Sequence, residues 1–272
     1  MAHPIRHVPR LSTTAARASD EEYSADLLDA LGTALWRRYN DKVVHAFVGR
    51  HLEANPTAML LKTDVFEEAL GNDGIRRAIP NFFVGIDRSR AVAEAARRRI
   101  PDVPLIRADV RRLPFADAVL GGAISTSTLD HFRDPRDLVL ALRELGRVLR
   151  PGAKLILTLD NPRNPLLAVR NAIPDVLRRR LGMTPYFVGY TCGPGRLGRL
   201  LTESGFAVRE TTAILHFPRV LAALSGSMLR RLGIEDDILA LLPRAEALGR
   251  WPTRWCTGHY IGVWATRRGC DS

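Results

Sequence analysis

The chain has 272 residues, 46% of them hydrophobic and 25% charged, enough to close a full core as one large domain. No run approaches the roughly 18 apolar residues of a membrane helix, and residues 1–22 lack the apolar run of a secretory leader. A soluble cytoplasmic protein without a membrane partner is therefore expected. The formal net charge of +11 raises nucleic acid as a partner, but the arginines recur along candidate helices, as in Arg97-Arg98-Arg99 and Arg178-Arg179-Arg180. That pattern reads as solvated faces, so no nucleic acid is expected, while an acidic or phosphorylated substrate stays open. Cys192, Cys256 and Cys270 are odd in number, far apart and without a CxxC, so neither a disulfide framework nor a thiolate zinc site is suggested. No metal is expected.

Residues 1–20 read as a loosely held arm and residues 21–272 as one domain. From Tyr23 to Leu52 apolar residues fall at helical intervals, predicting two helices before the sheet. The period then changes. Short apolar runs predict strands at 58–62, 82–86, 104–107, 118–125 and 153–159, and helices are expected at 65–77, 89–99 and 135–149. Strands alternating with helices mark an α/β fold with a doubly wound, mostly parallel sheet. A helix at 195–204, a strand at 206–213 and a last strand at 259–266 bring the sheet to seven strands. Residues 161–194 and 214–257 read as insertions, the second as two or three helices with an acidic break at Glu235-Asp236-Asp237.

In such sheets ligands sit beyond the carboxyl ends of the strands. The second strand ends in Val84-Gly85-Ile86-Asp87-Arg88-Ser89. Asp87 is placed to accept both hydroxyls of a ribose, and Ser89 to cap the next helix. The third runs into Ala108-Asp109-Val110, where a carboxylate and a neighbouring amide suit the edge of adenine, and Leu113-Pro114-Phe115 is expected to wall that pocket.

The ordered series VGIDRS, ADVRRLPFADAV, STSTLDHF and DLVLALRELGRVLRPGAKLILTLDN resembles the class I, Rossmann-like, S-adenosylmethionine-dependent methyltransferases of small molecules. The resemblance spans about residues 58–160. It implies methyl transfer from S-adenosylmethionine to a small-molecule acceptor, with Asp87 on ribose, Asp109 and Val110 on adenine, and Ser125 and Thr126 near the methionine portion.

The first motif departs from that pattern. Glycines there let a backbone approach the cofactor closely, whereas this chain reads Leu61-Lys62-Thr63-Asp64-Val65-Phe66-Glu67-Glu68. Asp64 keeps the spacing to Asp87, so Asp64 or Glu67 is expected to hold the cofactor's amino group. The alternative is a degenerate member of the fold that binds no cofactor and serves as a partner or scaffold.

Methyl transfer from a sulfonium demands alignment and, for a hydroxyl or amine nucleophile, removal of a proton. Asp130 and His131, after the fourth strand, are the candidate bases. Asp160, Asn161, Tyr190 and His216 are candidate acceptor contacts, although Asx-Pro clusters such as Asp160-Asn161-Pro162 also build turns unaided. The identity of the acceptor and the oligomeric state are not legible.

Overall fold

The structure is a computed structural model that describes residues 34–52, 58–72, 74–75, 82–174, 177 and 189–269. The expected N-terminal arm, the first of the two leading helices and Arg178-Arg179-Arg180 lie outside them. The elements, in chain order, are α1 (Ala34–His51), β1 (Met59–Lys62), α2 (Phe66–Ala69), β2 (Phe82–Asp87), α3 (Arg90–Arg99), β3 (Leu105–Arg107) and β4 (Leu120–Thr126). A 3-10 turn (Leu129–His131) leads to α4 (Pro135–Val148), β5 (Leu149–Asp160), α5 (Pro165–Ala172), α6 (Pro194–Glu203) and β6 (Phe206–Ile214). Then come α7 (Arg219–Arg231), α8 (Glu235–Leu241), a 3-10 helix (Leu242–Arg250), α9 (Arg254–Thr257) and β7 (Tyr260–Arg267). No described helix is long and apolar enough to cross a membrane.

The strands form one sheet in the order β3-β2-β1-β4-β5-β7-β6. The first five are parallel, and β7 runs antiparallel to both β5 and β6. Alternation of side chains along the strands sorts the core into two layers. Leu60, Phe83, Ile124 and Ile156 pack with Leu35, Tyr39, Val43 and Phe47 of α1. Their neighbours Leu61, Val84, Ala123 and Leu155 pack on the other face with Leu138, Leu142 and Leu145 of α4 and Leu197 and Leu201 of α6. A sheet covered on both faces explains why these strands read as near-continuous apolar runs.

Three expectations need correction. The helix expected over 65–77 is interrupted: its first turn, α2, ends at Ala69, Gly71 follows at φ +90°, and residues 74 and 75 are helical again. Glu235-Asp236-Asp237 is the first turn of α8 and not a break. The carboxylates suit the positive end of the helix dipole, and the break falls one step earlier, at Gly233 with φ +71°. Leu113 is buried in the core and Phe115 packs against it, so that segment does not wall the cleft. Arg147 donates to the carbonyls of both, at 3.2 and 2.8 Å, and Glu144 accepts from Leu113 N at 2.7 Å.

Candidate active site

Strand order reverses between β1 and β4, and a cleft of about 290 Å³ opens there, lined by the residues that follow β1 to β4, by the end of β5 and by one face of α1. A parallel sheet leaves room for a ligand at this point because the crossovers on its two sides diverge.

The first loop is held by a buried side chain. Lys62, at the end of β1, is 4% exposed, and its ammonium donates to Glu68 Oε2 and to the carbonyl of Asp64, each at 2.9 Å. Burial works against the charge, but Glu68 and Asp64 outweigh it and hold the Lys62 ammonium above the usual lysine range. Thr128 Oγ1 donates to Asp64 Oδ2, and Thr63 Oγ1 lies 2.9 Å from Ser125 Oγ and 3.2 Å from Thr128 Oγ1. An ion pair and a run of hydroxyls thus fix a loop that has no glycines. Gly85 on β2 makes room for it, since a Cβ there would meet Val65 at 2.5 Å.

Asp87 sits across the loop. Its Oδ1 accepts from Ser89 N at 2.8 Å and its Oδ2 from Val65 N at 3.4 Å; one further lone pair remains on each oxygen. Burial, with Asp64 nearby, pushes this carboxyl up to about 6. Ser89 Oγ accepts from Val92 N at 3.4 Å and caps α3. Asp109 is more committed: it forms a forked pair with the Arg111 guanidinium and accepts from Arg111 N at 2.9 Å, and Arg111 also bridges to Asp137 at 2.9 Å. Burial alone would raise Asp109, but Arg111 holds it below the usual carboxylate range.

On the β4 side, Ser127 adopts a left-handed backbone, φ +50°, held by its amide bonds to the carbonyl and hydroxyl of Thr158 at 3.1 and 3.0 Å. Strained backbone of this kind persists only where its surroundings over-determine it. The turn that follows carries Asp130 and His131. Asp130 is 4% exposed; its Oδ2 accepts from Asp160 N at 2.9 Å and from Ser127 Oγ at 3.2 Å. Its Oδ1 has no hydrogen-bond partner and stands 3.8 Å from His131 Nε2. Burial raises the Asp130 carboxyl; His131 opposes and Asp160 adds to the rise. Asp160 is pinned by Arg170 and lies 3.7 Å from His259 Nε2. Burial would lift it too, but the Arg170 guanidinium outweighs burial and holds it below the usual carboxylate range. Gly189 lets the chain pack behind this turn, because a Cβ there would lie 2.5 Å from the backbone of residues 130–132.

Of the residues singled out from sequence, Asp64, Glu67, Asp87, Ser89, Asp109, Val110, Thr126, Asp130, His131 and Asp160 line the cleft. The others stand outside its wall. Ser125 is buried against Thr63. Asn161 donates to the carbonyls of Trp255 and Gly258 at 2.8 and 2.9 Å, stapling the end of β5 to the approach of β7. Tyr190 donates its amide to Phe132 O at 2.6 Å. His216 is buried, with Nε2 donating to Ala213 O at 3.0 Å and Nδ1 left to accept from the Thr257 hydroxyl at 2.7 Å. Sequence reasoning missed the α1 contribution of Trp36, Asn40 and Asp41, and also Arg219 and Tyr260. Asp41 is pushed up to about 7 by burial and by Glu67.

The sheet order, the terminal antiparallel strand and a cleft at the strand reversal define the class I methyltransferase fold. Residues 69–157 match the family model described as "Methyltransferase domain". The chain's relatives include an uncharacterized 37.1 kDa protein in transposon TN4556 of Streptomyces fradiae, 37% identical over 66% of this chain and 52% of that protein. A demethylmenaquinone methyltransferase of Mycolicibacterium paratuberculosis is 35% identical over 43% of this chain and 49% of that protein. The chain thus spans about half the length of the curated relatives it matches. Among solved structures, a SAM-dependent methyltransferase, possible histamine N-methyltransferase, from Thermotoga maritima superposes with a TM-score of 0.55 at 16% identity, covering 85% of this chain and 90% of that one. A geranyl diphosphate C-methyltransferase from Streptomyces coelicolor A3(2) reaches 0.51 at 15% identity, covering 82% and 78%.

Proposed function

We propose that the protein transfers a methyl group from S-adenosylmethionine to a small-molecule acceptor. The observation that carries this reading is the cleft at the strand reversal, with Asp87 at its β2 wall retaining lone pairs for a ribose. The donor set suits the cofactor. Ala108 and Val110 flank the nucleoside end, and Asp64 and Glu67, joined by Asp41 in its ionised form, give the other end the negative charge that an ammonium and a sulfonium require. The glycine cradle is replaced by the loop that Lys62 holds. Asp109, saturated by Arg111, shapes the β3 loop more than it reads adenine. Bound here, S-adenosylmethionine supplies the methyl group and a thioether leaving group. The names of the relatives, quinone methyltransferases among them, support a small acceptor. His131, with Asp130 behind it, takes the acceptor's proton, and Asp160 fixes Asp130 through its backbone amide.

Calorimetric titration with S-adenosylmethionine and S-adenosylhomocysteine tests the reading without an acceptor. Saturable binding in the micromolar range supports it. Absence of binding by folded protein free of copurified ligand would instead favour the degenerate scaffold, whose warrant is the glycine-poor loop. Asp87→Ala is expected to weaken binding about 10- to 100-fold through loss of charge-assisted hydrogen bonds worth roughly 1.5–3 kcal/mol. The wild-type affinity should also rise between pH 5 and 7. Asp87 titrates at about 6, and the form that accepts both ribose hydroxyls is the ionised one, populated above that value. Affinity that is flat across this range, or unchanged in Asp87→Ala, would remove Asp87 from the site.

A further inference from the structure

We infer that the two insertions after β5 and β6 form a docking face for an anionic lipid bilayer, beside the mouth of the cleft. Among the described residues, ten of the twelve exposed large apolar side chains fall in these insertions, and only Val119 and Leu140 lie elsewhere. So lopsided a distribution is not the scatter expected of an ordinary surface. The insertions share one end of the sheet with the cleft: Asp160 at the end of β5 pairs with Tyr260, which pairs with Ile214 at the end of β6.

Helix α7 shows the pattern most clearly. Leu221, Met228 and Leu232 recur at i, i+7 and i+11, so they share one helical face, and they are 48%, 55% and 62% exposed. Ala222 is buried, and α7 contains no acid. Its first residue, Arg219, lines the cleft, and its last turn carries Arg230 and Arg231. On α5, Leu166 and Val169 are 53% and 63% exposed.

Charge selects the occupant. Among the described residues the two insertions hold eight arginines against four carboxylates, and of the eight only Arg170 is buried and spent on Asp160, which leaves a surplus of positive charge around the apolar side chains. Exposed apolar side chains framed by arginine fit an anionic bilayer, where the side chains enter the headgroup boundary and each cation near the surface adds attraction. A second copy of the chain would bring the same surplus and repel. The sequence-based expectation of no membrane partner rested on the lack of a spanning segment, which surface docking does not need. The inference is independent of the chemistry proposed for the cleft.

Co-sedimentation of the full chain with vesicles of equal phosphatidylglycerol and phosphatidylcholine, and with phosphatidylcholine alone, tests it. Binding to the anionic vesicles is expected to be at least tenfold tighter and to weaken in 0.5 M salt. Met228→Glu with Leu232→Glu should reduce it tenfold or more, and so should Leu166→Glu with Val169→Glu. Leu140→Glu, on the core domain, should leave it unchanged. All five positions are exposed, and unchanged circular dichroism checks the fold. The inference is overturned by a failure to sediment with anionic vesicles, by equal loss in Leu140→Glu, or by light scattering that shows a dimer which the Met228/Leu232 pair converts to monomer without altering vesicle binding.

Discussion

Lys62→Met is expected to destabilise the protein by about 3–5 kcal/mol, the usual cost of leaving a buried partner charge uncompensated, and to lower Tm by roughly 10 °C. The Lys62 and Glu68 side chains are each 5% exposed and 2.9 Å apart, so water cannot replace the lost partner. Removing both charges separates the pair's contribution to stability from its contribution to shape. Lys62→Met with Glu68→Met should recover most of the stability, because a well-packed apolar pair is often as stable as a buried ion pair. It should not recover the site. The bond from Lys62 to the Asp64 carbonyl is still missing, so the loop loses its anchor and affinity for S-adenosylmethionine should stay about tenfold below wild type. Thermal unfolding and calorimetry on the two variants read these effects. Wild-type stability in the single variant would show that the pair does not hold the loop.

This pair also marks the limit of what the sequence discloses. Each strand lies within a few residues of its expected position because the two-sided core leaves short apolar runs bounded by turns, and the last strand, β7, runs antiparallel between β5 and β6. The helix expected over 65–77 is interrupted for a tertiary reason. Its local pattern is helical, but Glu68 is drawn inward to a lysine on a neighbouring strand, and the chain breaks at Gly71. A lysine at the end of an apolar run, Met59-Leu60-Leu61-Lys62, was the available signal, since a charge at a buried strand end needs a partner.

The site was legible to the extent that it is built from strand ends. Asp87, Asp130 and Asp160 each directly end or follow a strand, and topology alone carries them to one cleft. What came from elsewhere was hidden. Trp36, Asn40 and Asp41 reach the cleft from a helix that packs across the sheet, and nothing in their spacing differs from an ordinary amphipathic face. Asn161 and His216 were misleading in the opposite way, as polar residues near the right strand end that are consumed by tying the ends of β5 and β6 to the segment that leads into β7. Only the count of bonds each one already makes separates them from Asp130.

That count leads to the second large effect, a fall of 100-fold or more in turnover for His131→Ala and for Asp130→Asn, with the affinity for S-adenosylmethionine within about twofold of wild type. General-base residues contribute on the order of 10²–10⁴ in rate. In Asp130, one oxygen is held by Asp160 and Ser127 while the other has no hydrogen-bond partner and faces His131 at 3.8 Å. A proton arriving on His131 turns that contact into an ion pair, so the carboxylate stabilises the charge that proton transfer creates and not the resting state. In Asp130→Asn the amide oxygen can keep the bonds from Asp160 and Ser127, which preserves the turn and removes only the charge. If the two residues act as one unit, the double variant should be little slower than either single one. Single-turnover methyl transfer to an acceptor returned by a screen with labelled S-adenosylmethionine measures all three. Multiplying losses in the double variant would instead mean that His131 and Asp130 act separately, and a wild-type rate in His131→Ala would leave Asp130 as the sole candidate base.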